Sequence, residues 1–109
     1  MEHKTIVLSI DALVHEDIAY LRTKPNFSRL MAHCSGVERV CTVYPSITYP
    51  AHVSIMTGCR PGKHGVFTNY TVKDDWSGTW QYVGKDLVKV EDIFAAAKRA
   101  DCSTAAVFW

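Results

Sequence analysis

The sequence predicts an α/β fold with a mostly parallel sheet, because strand-like and helix-like segments alternate along the chain. Residues 5–10 form a nearly continuous apolar run rich in β-branched side chains, which is typical of a strand covered on both faces. Residues 104–109 form a second such run, and residues 37–43 alternate in the way expected of a strand near a sheet edge. Helices between parallel strands imply right-handed crossover connections.

The helical segments are predicted from apolar spacing and from residues that start or stop helices. The spacing is weak over residues 15–21 and clear over residues 27–34, where Pro25 opens the helix and Gly36 ends it. Residues 90–100 are rich in alanine and other good helix formers. These segments would cover the sheet.

The region after the middle of the chain carries little periodicity. Residues 61–65 contain proline and two glycines and predict a turn. Residues 68–86 are polar and aromatic and predict a long loop that could include a short hairpin. Trp76, Trp80 and Tyr82 in this loop could stack on a substrate base or simply cover the sheet, and the sequence leaves both interpretations open.

Length and composition bound the function. The chain has 109 residues, a hydrophobic content of 48 % and a formal charge of +1, so residues 1–109 are expected to form at most one domain without an electrostatic basis for nucleic-acid binding. With neither an apolar span nor a signal peptide in the sequence, we expect a cytoplasmic protein. Four scattered cysteines, with no Cys-x-x-Cys pair, predict free thiols that are buried or partly buried. Three predicted strands bury little core, so the chain is expected to be the N-terminal portion of a larger domain.

The most informative segment surrounds Thr48. Pro50 suits the first turn of a helix, and its ring disfavours helical geometry at Tyr49, so the helix is predicted to begin at Pro50 with Thr48 on the turn before it. Gly58 is the predicted stop. A hydroxyl at this place lies beside unpaired backbone N–H groups, where an anion would bind. Taken alone, the segment favours a helix N-cap role for Thr48 over a nucleophilic one.

Two further residues join Thr48 in a possible phosphoryl-transfer site. Asp11 directly follows the first predicted strand, at the sheet edge where α/β enzymes bind ligands. Thr48 should approach the same edge, and Asn69 could return an amide donor to it. A carboxylate for a metal, a hydroxyl that the metal can activate and a neutral donor for a phosphate oxygen together suit phosphoryl transfer.

The order of these motifs resembles the N-terminal signature of the nucleotide pyrophosphatase/phosphodiesterase family, within the alkaline phosphatase superfamily. The resemblance is carried by residues 9–13 (Ser-Ile-Asp-Ala-Leu), 44–52 (Tyr-Pro-Ser-Ile-Thr-Tyr-Pro-Ala-His), 56–58 (Met-Thr-Gly) and 61–69, which runs from Pro61 to Asn69. It continues through residues 90–109 and covers essentially the whole chain. It implies the N-terminal part of an alkaline-phosphatase-like three-layer α/β/α fold.

The resemblance also implies residue roles. Asp11 matches a metal ligand, and Thr48 matches the nucleophile that binds the same metal. Asn69 and the Tyr49 backbone N–H match the groups that hold a phosphate oxygen. The implied cofactors are two Zn²⁺ ions, with other divalent metals possible, and the implied substrate is a small phosphodiester or nucleotide. The family's remaining metal ligands would lie beyond Trp109, so the 109 residues alone are expected to be inactive.

Alternatives remain open. His52 and His64 are expected to have structural hydrogen-bonding roles rather than to bind metal. A phosphonate hydrolase would use similar residues, whereas a sulfatase needs Cys or Ser where Thr48 stands, and a haloacid dehalogenase needs a second Asp where Leu13 stands. The alternative from another class is a non-catalytic, truncated α/β module. An exposed sheet edge in such a chain could also favour self-association.

Overall fold

The computed structural model describes residues 4–37, 39–72, 75–76, 78–80 and 85–107. Contacts divide the chain into two compact units, Met1–Cys41 and Thr42–Trp109. Among the described residues, the first unit contains two short helices, and the second contains three helices, a 3₁₀ turn and a two-stranded hairpin. A single domain over residues 1–109 stays a prediction.

The first unit contains helices α1 (His15–Leu21) and α2 (Pro25–Met31). α1 begins where Val14 donates its backbone N–H to the Asp17 carboxylate at 3.0 Å, and acidic residues in the first turn suit the positive end of the helix dipole. α2 begins at Pro25, where a missing N–H costs no hydrogen bond. Both helices were predicted, but α2 ends at Met31 rather than near Gly36.

The predicted parallel sheet is not confirmed. The segments predicted as strands form none in the structure; they are residues 5–10, 39–43 and 104–107. Their apolar side chains are largely exposed, with Ile6 at 92 % and Val40 at 80 %. A β-branched run becomes a strand only when a neighbouring strand takes up its backbone N–H and C=O groups. Among the described residues, these segments have no such neighbour.

The second unit contains helices α3 (Thr48–Thr57), α4 (Pro61–His64) and α5 (Ile93–Arg99), with a 3₁₀ turn over Lys85–Leu87. The predicted stop of α3 is confirmed, since Gly58 adopts a left-handed φ of 65°. The residues expected to form a turn after it instead begin with the helical turn α4.

The hairpin that the sequence allowed is present. Strands β1 (Tyr70–Val72) and β2 (Gly78–Trp80) pair antiparallel, with Tyr70 opposite Trp80. The Trp76 side chain between them is exposed and therefore covers no sheet in the described part of the chain. Trp80 lies in β2, while its side chain and Tyr82 lie outside the described residues.

α5 starts and stops on local signals. The Asp92 carboxylate accepts the Ala95 N–H at 2.7 Å and caps the N-terminus. At the other end, the Cys102 N–H bonds to the Ala97 carbonyl and the Asp101 N–H to the Lys98 carbonyl, with Asp101 at a φ of 58°. This pair of bonds is a Schellman motif. The helix is shorter than the predicted residues 90–100.

The four cysteines are free, as predicted, but three are exposed and Cys59 is half-buried. Among the helices in the described residues, none combines the length and apolar character needed to cross a bilayer.

Candidate functional site

The site in the second unit is built on the first turn of α3. The helix begins at Thr48, after an extended Ile47, so the prediction of a start at Pro50 is wrong by two residues. Tyr49 is helical despite preceding proline. The first four N–H groups of a helix need no intrahelical partner, so proline at the third position removes no hydrogen bond.

Thr48 is the first helical residue and not the N-cap, so the N-cap interpretation is wrong. Its side chain is half-buried, and its hydroxyl makes no hydrogen bond to any residue that the structure describes. Its carbonyl accepts a hydrogen bond from His52 Nδ1 at 2.8 Å, as expected of a structural histidine. The hydroxyl is therefore available at the positive end of a ten-residue helix.

Tyr49 and Asn69 are brought together across 20 residues. The Tyr49 backbone N–H donates to Asn69 Oδ1 at 2.8 Å. This bond takes up one of the unpaired N–H groups of the helix and fixes the orientation of the Asn69 amide. The resemblance implied that both groups hold a phosphate oxygen; in this structure they bond to each other, and phosphate binding stays a prediction.

The Asn69 amide nitrogen takes no part in that bond. Asn69 is only 9 % exposed, and Nδ2 has no hydrogen bond within the described residues. Because no fully buried side-chain nitrogen or oxygen among those residues lacks a partner, this NH₂ group must reach solvent. The amide therefore presents a pre-oriented donor from an otherwise buried side chain.

A buried polar cluster lies beneath this turn. His64 is 0 % exposed, and both ring nitrogens are used: Nδ1 accepts the Val66 N–H at 3.1 Å and Nε2 meets Ser54 Oγ at 2.9 Å. Ser54 Oγ in turn donates to the Pro50 carbonyl at 2.7 Å. Burial lowers the pKa of His64, and the nearby Pro50 carbonyl opposes this only in part.

The predicted structural role of His64 is thus confirmed, and Ser54 supports the site although it was not predicted from the sequence. The signal was present: Ser54 lies four residues after Pro50, one turn further along the same helix face. A polar residue at that spacing on an otherwise apolar face indicates a buried partner.

Asp11 lies in the first unit, directly after residues 5–10, and is exposed. Its Oδ1 accepts the Ala12 N–H at 3.0 Å, and Ala12 has a left-handed φ of 58°. Its proximity to Thr48 remains a prediction. Within the described residues, no three His, Cys, Asp or Glu side chains gather into a group that could hold a metal ion.

Comparison with known proteins decides the family. Residues 5–109 match the family profile described as type I phosphodiesterase / nucleotide pyrophosphatase. The chain belongs to this family. The resemblance inferred from the motifs is therefore confirmed, and with it a family of hydrolases whose fold is of the alkaline-phosphatase-like α/β class.

The relatives are similar at low identity. The chain is 28 % identical over 114 residues to human ectonucleotide pyrophosphatase/phosphodiesterase family member 1, and the match covers 96 % of the chain and 12 % of that protein. An ectonucleotide pyrophosphatase/phosphodiesterase of Caenorhabditis elegans is 30 % identical over 100 residues, covering 86 % of the chain and 13 % of its own length. An uncharacterized pyrophosphatase/phosphodiesterase of Schizosaccharomyces pombe is 36 % identical over 64 residues, covering 59 % and 13 %.

The chain thus spans about an eighth of the length of the curated relatives it matches. No solved structure matches it significantly.

Proposed function

We propose that the intact protein is a metal-dependent phosphodiesterase or nucleotide pyrophosphatase in which Thr48 is the nucleophile. The observation that carries this proposal is the Thr48 hydroxyl, which is free of hydrogen bonds within the described residues at the start of a ten-residue helix, next to the Tyr49–Asn69 pair. Family membership supports the reaction class.

In the proposed reaction, Thr48 Oγ1 loses its proton to water, attacks phosphorus and forms a covalent phosphoester, while the bond to the leaving oxygen breaks and that oxygen takes up a proton from water. Water then hydrolyses the ester and restores the hydroxyl. The Asn69 NH₂ group donates to a non-bridging phosphate oxygen as negative charge develops on it. Since Asn69 Oδ1 is already held by the Tyr49 N–H, this donor needs no reorganisation during the reaction.

Two Zn²⁺ ions are proposed as cofactors. A carboxylate and a hydroxyl are suitable oxygen ligands, so Asp11 and Thr48 would hold one ion together with ligands from elsewhere in the intact protein. Asp11 Oδ2 has no hydrogen bond within the described residues and is exposed, which fits a ligand role. Bound zinc would lower the pKa of the hydroxyl and polarise the phosphoryl group.

The proposed substrates are small phosphodiesters or pyrophosphates, including nucleotides. The matching family profile, described as type I phosphodiesterase / nucleotide pyrophosphatase, supports this substrate class. The cytoplasmic location and the self-association expected from the sequence remain predictions.

The test uses the intact protein and a chromogenic nitrophenyl phosphodiester, assayed with and without added Zn²⁺. Thr48→Ala should lower kcat by at least about a thousandfold, as expected when a nucleophile is removed. Thr48→Ser, the matched control, keeps a hydroxyl and should retain measurable turnover. Undiminished turnover by Thr48→Ala would contradict the proposal.

A further inference from the structure

The buried Ser54–His64 pair has no role in the proposed chemistry, although it lies directly beneath the residues that carry it. Three hydrogen bonds run in series from the Val66 N–H to His64, from His64 to Ser54 and from Ser54 to the Pro50 carbonyl. All four residues are buried. Buried polar groups of this kind fix one arrangement of the chain when each is satisfied.

The pair is not a nucleophile with its base. Because Nδ1 accepts the Val66 N–H, it is unprotonated, so in the neutral ring Nε2 carries the proton and donates to Ser54 Oγ. The Ser54 hydroxyl donates its own hydrogen bond to the Pro50 carbonyl. His64 therefore has no lone pair directed at Ser54, and the cluster cannot activate the hydroxyl.

The role of these three hydrogen bonds follows from the residues at the two ends of the series. Pro50 adjoins Tyr49 in the first turn of α3, and Val66 lies three residues before Asn69. Residues 65–68 belong to no helix or strand, so no backbone ladder sets the path of the chain toward Asn69. The three hydrogen bonds hold the start of this segment against the first turn of α3, and the Tyr49–Asn69 bond holds its end at the same turn.

From this geometry we infer that Ser54 and His64 are positioning residues that hold the Asn69 amide in register with Thr48. The inference rests on the proposed function for its catalytic consequence, but the geometric part stands without it. The opposite side of the segment is also fixed: the Lys89 N–H donates to the His64 carbonyl at 3.0 Å. Gly65, with a φ of 86°, lets the chain turn there.

The experiment compares two amide replacements in the intact protein. The Asn side chain places an oxygen near the position of Nδ1, so His64→Asn can still accept the Val66 N–H. His64→Gln reaches instead toward Ser54 and leaves that N–H unpaired. Lys63→Gln, at an exposed residue of the same helical turn, is the matched control. The readouts are kcat, KM and amide hydrogen exchange at Tyr49.

For His64→Gln we expect kcat to fall by about ten- to a hundredfold with KM nearly unchanged, because a donor shifted by about 1 Å serves the transition state poorly. Exchange at the Tyr49 amide should accelerate, since its bond to Asn69 is loosened. His64→Asn keeps the Val66 bond but loses the Ser54 bond, so it should restore part of both properties, and Lys63→Gln should match the wild type. A protein weakened only in its folding would show exchange that accelerates equally at α5.

Three results would overturn the inference: wild-type kcat and Tyr49 exchange in His64→Gln, no rescue by His64→Asn, or equal acceleration at α5. If His64→Gln does not fold, Ser54→Ala tests the positioning role instead, because it removes the hydroxyl between His64 and Pro50. Unchanged Tyr49 exchange in that variant would reject the positioning role. An inactive wild type would refute the proposed function instead, and the exchange measurement would still decide the geometric part.

Discussion

Asn69 has two proposed roles, and two substitutions distinguish them. Its Oδ1 accepts the Tyr49 N–H at 2.8 Å, and its NH₂ group is the proposed donor to phosphate. Asn69→Asp keeps an oxygen for the Tyr49 N–H but replaces the NH₂ group with a second oxygen. Asn69→Ala removes both functions.

The expected magnitudes differ between stability and turnover. In Asn69→Ala the partly buried Tyr49 N–H loses its partner, so the free energy of unfolding should fall by about 1–3 kcal/mol. In Asn69→Asp the bond remains, and the negative charge at a helix N-terminus offsets part of the cost of placing a carboxylate at a largely buried position, so the loss should be smaller than in Asn69→Ala. Both variants lose the donor, and kcat should fall by about a hundred- to a thousandfold in each.

The assay is urea unfolding paired with steady-state hydrolysis of a nitrophenyl phosphodiester by the intact protein. If Asn69→Asp is destabilised as much as Asn69→Ala, the bond to Tyr49 is not what Asn69 contributes to folding. If Asn69→Asp retains wild-type kcat, the NH₂ group is not the phosphate donor.

Two further predictions concern His64 and Gly65. The unfolded chain protonates histidine near the ordinary pKa of 6.5, whereas burial lowers the pKa of folded His64. The folded state therefore binds fewer protons, and the stabilisation is complete above pH 6.5 and is lost as the pH falls toward the lowered pKa. Thermal melts from pH 7.5 to about 5 should show this loss in the wild type and a weaker one in His64→Asn; equal slopes would contradict the assignment. Gly65→Ala should destabilise by about 1–2 kcal/mol, because φ is 86° and the new Cβ would lie 3.0 Å from the Lys89 side chain. Gly62→Ala, in open space within α4, is the control and should be neutral or slightly stabilising in the same melts.

The sequence predicted those parts of the fold that depend on neighbouring residues. α2 starts at Pro25 and α3 stops at Gly58, as predicted, and each boundary follows from the chemistry of one side chain. The start of α5 was predicted three residues too early, at residue 90 rather than Ile93. The sheet was not predictable in the same way. Residues 5–10 have strand composition, but a strand also needs partners, and β-propensity carries no information about them.

In the candidate site, too, local features were predictable from the sequence and features that depend on distant residues were not. Thr48, Tyr49 and Asn69 could be named from motif order, but the start of α3 could not be placed. A hydrogen bond from Tyr49 to a side chain 20 residues away stabilises helical geometry at a residue where proline disfavours it. Ser54 was missed for a related reason, since its importance comes from His64, ten residues later.

The central claim is that the Thr48 oxygen becomes bonded to phosphorus during turnover. The most direct measurement is rapid acid quenching of the intact protein with a labelled phosphodiester, followed by peptide mapping by mass spectrometry. We expect a phosphoester on the peptide that contains Thr48, and none on that peptide from Thr48→Ala. Burst kinetics with the adduct on another residue, or turnover in Thr48→Ala at the wild-type rate, would contradict it.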